Sequence, residues 1–95
     1  MSEWHVYIVR CSDGSLYTGI ATDIERRVKE HNTRNLLAAS YTRSRRPVVL
    51  VYQESAPTRS AASKREYQLK QMTRGEKDAL VATAGGKNNG VIRDR

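Results

Sequence analysis

The chain reads as an α+β domain: a small three-stranded antiparallel sheet flanked by helices, in the order β-β-α-β-α-α. Three observations predict it. Two short runs rich in β-branched and aromatic residues, Trp4–Arg10 and Ser15–Ile20, bracket a Ser12-Asp13-Gly14 turn, which marks a hairpin. A third run, Val48-Val49-Leu50-Val51-Tyr52, is almost wholly apolar and follows Pro47. The segments between and after these runs carry helix start signals and a 3.6-residue apolar period. Ninety-five residues hold one modest core, so residues 1–84 form a single domain and the glycine-rich, polar residues 85–95 a flexible tail.

The first strand has apolar groups in both alternating sets, Trp4, Val6 and Ile8 against Tyr7 and Val9. That suits a strand covered on both faces. Two hairpin registers are open to it. A two-residue Asp-Gly turn pairs Arg10 with Tyr17 and puts Tyr7 and Tyr17 on opposite faces. A three-residue loop with Gly14 left-handed pairs Val9 with Tyr17 and Tyr7 with Gly19, so both tyrosines share a face. The second is favoured because it leaves a shallow spot at Gly19 where a ligand can approach the main chain.

Thr22 and Glu25 read as a capping box for the first helix, which runs to His31. Ile24, Arg27, Val28 and His31 then fall on one face. An arginine and a histidine thus share the stripe that two aliphatics would bury; the packing alternative is that Arg27 snorkels and His31 closes the helix end. Residues 32–46 have no clear period beyond a helical turn over Asn35–Ser40. They set Arg34, Arg43, Arg45 and Arg46 around Tyr41, a combination that serves either as a solvated loop or as phosphate contacts around a stacking ring. The third strand is expected to be buried on both faces and to end at Ser55-Ala56-Pro57.

Thr58 caps a second helix to about Met72, with Ala62, Glu66 and Leu69 on one stripe and Arg65 and Met72 beside it. An inward carboxylate requires a cation, a metal or a solvent cleft; a salt bridge from Glu66 to Arg27 would satisfy it structurally. Thr73-Arg74-Gly75-Glu76 is a second capping box, opening a third helix that Gly85-Gly86 stops after Ala84.

Seventeen Lys+Arg against ten Asp+Glu give a formal charge of +7, which favours a polyanionic partner, nucleic acid first. The single cysteine, Cys11, excludes an internal disulfide and fits packing in a reducing compartment. With no apolar run of membrane-spanning length, a cytoplasmic protein with no membrane partner is expected.

Val6-Tyr7-Ile8, Tyr17-Thr18-Gly19, Arg27, His31 and Glu66 together resemble the GIY-YIG nuclease domain, over about Trp4 to Leu80. His5 and Val6 stand where that motif has glycine and isoleucine, and no late asparagine is carried over. Tyr41-Thr42-Arg43 and Arg46-Pro47-Val48 also resemble the small free-standing bacterial UPF0213 group of that family. The resemblance implies a metal-dependent endonuclease that cleaves DNA phosphodiester bonds in repair or recombination.

The residues suit that chemistry. Glu66 offers one hard oxygen ligand for a single Mg²⁺ or Mn²⁺ completed by water and phosphate. Arg27 offers an always-charged fork for a phosphate oxygen. Tyr7 or Tyr17 is the candidate general base, and His31 orients a tyrosine or carries its proton. Gly19, Tyr41, Arg43, Arg45 and Arg46 are the candidate nucleic-acid contacts. The alternatives are a non-catalytic nucleic-acid-binding module on the same fold and an adaptor for an acidic protein.

Overall fold

The layout follows from the strand that sits in the middle. In a computed structural model describing residues 3–33 and 40–88, β1 (Trp4–Arg10) lies between β2 (Leu16–Ala21) and β3 (Val49–Ala56), both antiparallel to it. Val6 and Ile8 turn to one face and Tyr7 and Val9 to the other, and all four are buried. The alternating pattern of β1 therefore does what it predicts. The three-stranded antiparallel α+β domain is the fold observed.

Helix α1 (Ile24–Thr33) covers the Tyr7 face, where Ile24 and Val28 pack with Val9, Cys11 and Val48. The one-turn α2 (Ser40–Arg43) packs against α1. Helices α3 (Arg59–Lys70) and α4 (Arg74–Asn88) cover the other face, with Ala62 and Leu69 wholly buried against Val6 and Ile8. Val6, Ile8 and Leu69 there each contribute about 1.5–3 kcal/mol relative to exposure.

The hairpin takes the register with both tyrosines on one face: Val9 pairs with Tyr17 and Tyr7 with Gly19. Gly14 supplies the left-handed residue at φ 86°, and Asp13 Oδ1 accepts from the Ser15 amide at 3.0 Å and hydroxyl at 2.6 Å. The Thr58 cap forms, accepting from the Ala61 amide. The Thr73–Glu76 box closes reciprocally at 2.8 and 3.2 Å.

Four expectations are corrected. Helix α1 is capped by Asp23, whose Oδ1 accepts from the Arg26 amide at 3.1 Å, not by Thr22. Strand β2 runs through Ala21, so Thr22 falls too early to reach the helix's orphan amides. Strand β3 is an edge strand and Val49 is 58% exposed, so it is not buried on both faces. It also continues through Gln53-Glu54-Ser55 to Ala56, because those residues pair with the start of β1. A register shift between Ile8 and Val9 leaves Val51 as an extra residue in β3. Finally, α4 runs through Gly85-Gly86 to Asn88, as a glycine costs a helix only about 1 kcal/mol. Arg34, the turn expected from Asn35 up to Ser40, and the tail from residue 89 lie outside the described residues.

Candidate active site

The site is built on the Tyr7–Gly19 pair. A Cβ at Gly19 would lie 2.5 Å from Tyr7 Oη and 2.7 Å from Cζ, so the phenol ring occupies the space that glycine leaves. Gly19 is buried. The spot expected to admit a ligand is therefore filled from within. Gly19 is a seat for Tyr7 rather than a nucleic-acid contact.

The seated phenol reaches α1. Tyr7 Oη lies 2.9 Å from His31 Nε2, and the other ring nitrogen, Nδ1, lies 2.7 Å from Thr42 Oγ1. Tyr7 is 1% exposed, and His31 and Thr42 are wholly buried. Burial pushes the Tyr7 phenol up to about 12, although the nearby Arg27 guanidinium acts in the opposite sense. Burial, aided by the charge of Arg27, pushes His31 down to about 4. Both groups are consequently neutral at physiological pH.

Arg27 faces the Tyr7 hydroxyl from α1 and is also held by Glu30, Nη1 to Oε1 at 3.2 Å. Tyr17 packs edge-on to His31, ring centroids 5.5 Å apart, and its hydroxyl acts on Tyr7 electrostatically. Glu66 sits on α3, the helix of the opposite layer, and its half-buried carboxylate is near enough for its charge to raise the Tyr7 pKa further. Guanidinium and carboxylate thus come from opposite faces of the sheet, and both act on the Tyr7 phenol. They do not pair: Arg27 binds Glu30, and Glu66 binds Lys70 Nζ at 3.3 Å. Lys70 Nζ also lies 5.9 Å from the Tyr17 ring centroid, a site cation that the sequence reading missed.

The basic segment divides in two. Tyr41, 38% exposed, stacks on Tyr17 with centroids 5.8 Å apart, and the Arg45 guanidinium lies 4.0 Å above the Tyr41 ring. Arg45 is fixed there by Asp13 Oδ2 at 3.1 Å and by the Tyr41 carbonyl at 2.8 Å. Arg43 is exposed on α2. Arg46 turns inward instead, its Nε donating to the His31 carbonyl at 2.6 Å. Through that bond it closes the end of α1. Asn32 fastens the same region: its amide donates to the Val48 carbonyl at 3.0 Å and accepts from the Val48 amide at 2.8 Å. Thr42 enters the sequence reading only within the Tyr41-Thr42-Arg43 resemblance, with no role of its own, and Asn32 does not enter it as a site residue. The one usable signal was their polarity among residues leading to an apolar strand.

Beside Arg27 a cleft of about 220 Å³ opens along β2, walled by Trp4, Ile20, Thr22 and Arg26 among others. Among the described residues no cluster of three or more His, Cys, Asp or Glu is arranged to hold a metal ion. No described helix is long and apolar enough to cross a membrane. Cys11 is buried, and burial raises its thiol pKa, as expected of a packing residue.

A hairpin that presents two tyrosines, an arginine on the following helix and a glutamate on a later one define a GIY-YIG-type nuclease domain. Residues 3–78 match the GIY-YIG catalytic domain, and the chain belongs to that family. Within it the chain is 59% identical over 78 residues to a UPF0213 protein of Desulfotalea psychrophila, covering 82% of this chain and 70% of the relative. It is 52% identical over 82 residues to a UPF0213 protein of Staphylococcus saprophyticus, covering 86% and 98%. The solution NMR structure of a UPF0213 protein from Bacillus halodurans aligns with a TM-score of 0.57 at 41% identity, covering 93% of this chain and 90% of that one.

Proposed function

We propose that this chain is a metal-dependent endonuclease that hydrolyses DNA phosphodiester bonds in the cytoplasm, in repair or recombination. The observation that carries the reading is the buried Tyr7 hydroxyl, hydrogen-bonded to a neutral imidazole and met by Arg27, with Tyr17 and the charge of Glu66 near enough to act on it. The basic charge of +7 supports a DNA partner, and the repair setting rests on family membership.

Glu66 fits a hard divalent cation, Mg²⁺ or Mn²⁺, because it brings a half-buried carboxylate to the same edge as the phenols. With one carboxylate there, the remaining ligands would be water and a substrate phosphate, and one ion suits the site better than two. When bound, such an ion supplies Lewis-acid stabilisation of the charge that builds on the phosphate oxygens. Arg27, released from its half-exposed partner Glu30, holds a non-bridging oxygen through its fork. Attacking water gives its proton to Tyr7 Oη while the phenol passes its own to His31 Nε2. That coupled transfer avoids forming a phenolate in a site where its pKa is about 12. Tyr7 is thus the base, and Tyr17, stacked between His31 and Tyr41, shapes the wall around it.

The test is cleavage of supercoiled, single-stranded and branched DNA with Mg²⁺ or Mn²⁺, and then with EDTA. Glu66→Ala and Arg27→Ala are expected to lose at least ~10²-fold in rate while still binding DNA. Equal cleavage by wild type and Glu66→Ala refutes the enzyme reading. Salt-sensitive binding with no metal-dependent product would instead leave a non-catalytic binding module.

A further inference from the structure

The buried chain of hydrogen bonds extends one residue past the imidazole, to Thr42 on α2. We infer that Thr42 is a positioning residue: its hydroxyl accepts from His31 Nδ1–H and so holds the imidazole in the tautomer whose bare Nε2 receives the Tyr7 proton. This deepens the proposed reaction and rests on it for its purpose, though the tautomer is a property of the protein alone.

The directions follow from donor and acceptor capacity. An arginine only donates, so where Arg27 meets the Tyr7 hydroxyl the phenol oxygen accepts. The O–H proton of Tyr7 is then directed at the remaining partner, His31 Nε2, 2.9 Å away. A neutral imidazole carries one N–H. It must be on Nδ1, which lies 2.7 Å from Thr42 Oγ1. The charged groups around this imidazole are Arg27 and Glu30 on its own helix and Arg46, whose Nε takes the His31 carbonyl; Tyr17 from β2 contributes only a ring edge. None of these meets Nδ1 in the described structure, so Thr42 alone sets that end of the ring. The same short helix places Tyr41 on Tyr17, so two consecutive residues of α2 back the two tyrosines of the hairpin.

Thr42→Val keeps the side chain's shape and removes the acceptor. With Nδ1–H unsatisfied, each tautomer strands one buried donor, Nδ1–H in one and the Tyr7 O–H in the other, so the preference is lost and the form protonated at Nε2, which blocks the outgoing proton, becomes populated. The first measurement is ¹⁵N NMR of the imidazole, assigned against His5→Gln, which removes the other histidine. Wild type is expected to show protonated Nδ1 and bare Nε2, and Thr42→Val a mixture with a raised share of the form protonated at Nε2. The second is cleavage: kcat falls ~10²-fold in Thr42→Val with the DNA dissociation constant unchanged, and Thr42→Ser restores it to within a few-fold. Protonated Nε2 in the wild-type spectrum overturns the inference, and so does an unchanged kcat in Thr42→Val. A wild-type protein that cleaves nothing refutes the nuclease reading, while the spectrum still decides the tautomer. If Thr42→Val does not fold, the wild-type spectrum and a Thr42→Ser protein that fails to match wild-type kcat remain able to overturn it.

Discussion

Gly19→Ala separates a seat for Tyr7 from an opening for ligand. Ordinary van der Waals contact begins near 3.4 Å, and the new Cβ would stand 2.5 Å from Oη, so the hydroxyl must move about 0.9 Å. A tyrosine has only two side-chain torsions, and this ring is wholly enclosed, so the shift draws Oη off its 2.9 Å bond to His31. Overpacking costs about 1–3 kcal/mol. A buried hydrogen bond lost on one side adds about 1–3 kcal/mol. Alanine's lower unfolded-state entropy returns only about 0.5–1 kcal/mol. A net loss of about 1–5 kcal/mol is expected, a large fraction of the stability of a domain this small. Urea unfolding followed by circular dichroism measures it, with unchanged m-value as the check on two-state behaviour. In a Tyr7→Phe background the nearest clash is gone, and the substitution should cost about 1 kcal/mol less. Stability within ~0.5 kcal/mol of wild type, accompanied by weakened DNA binding, would refute this reasoning and restore Gly19 as a ligand contact.

Three further outcomes are expected. His31 is depressed from 6.5 to about 4, so its contribution is complete above pH 6.5 and is lost as pH falls toward 4; Tyr7 is raised from 10.0 to about 12, so its contribution holds below pH 10 and is lost toward 12. Each flank is worth about 3 kcal/mol, and unfolding midpoints that stay flat from pH 4 to 7 would contradict the burial of His31. Asp23→Ala should cost about 1 kcal/mol of stability and Thr22→Ala only a few tenths, because Asp23 makes the cap; equal losses in urea titrations would reverse that assignment. Trp4 is the only tryptophan and lines the cleft that Arg27 shares, so its fluorescence should change as DNA binds in low salt and recover as salt rises. A silent tryptophan in the presence of demonstrated binding would place the DNA away from that cleft.

Local chemistry made much of the fold legible. The two apolar sets of β1 announced a strand covered on both faces, and Gly14 in a three-residue loop set the register that puts Tyr7 opposite Gly19. The stripe of Ile24, Arg27, Val28 and His31 pointed α1 inward as read, and the Thr73–Glu76 box needed only residues three apart. What the sequence concealed depends on contacts between distant segments. Apolar content alone does not distinguish an edge strand from a central one, so β3 was read as buried when it forms an edge. Thr22 and Asp23 are both good caps, and the choice between them was made by how far β2 paired with β1. Thr42 lies eleven residues from His31, in a segment whose arginines dominate its character, so no local pattern reveals its contact with the imidazole. Lys70 is similarly disguised as one more cation on a helix surface.

The stability ledger of the buried chain bears on why it is there. Tyr7, His31 and Thr42 bring three polar groups into the space between α1, α2 and the sheet, and each hydrogen bond among them returns only about 0.5–1.5 kcal/mol net. Apolar residues of like shape would fill that space at no smaller gain and without the acid and alkaline losses that the shifted pKa values impose. The arrangement is also brittle, since removing one member strands its neighbour without water to replace it. A fold under pressure for stability alone would therefore not favour a phenol, an imidazole and a hydroxyl in line behind an arginine. Their alignment in that buried space, with the charge of Glu66 acting on the phenol from the other layer, is what the proposed proton transfer requires. On that account the basic segment contributes more than charge: α2 supplies the hydrogen bond to His31 Nδ1 and the ring that stacks on Tyr17, and Arg46 and Asn32 tie the segment to the end of α1.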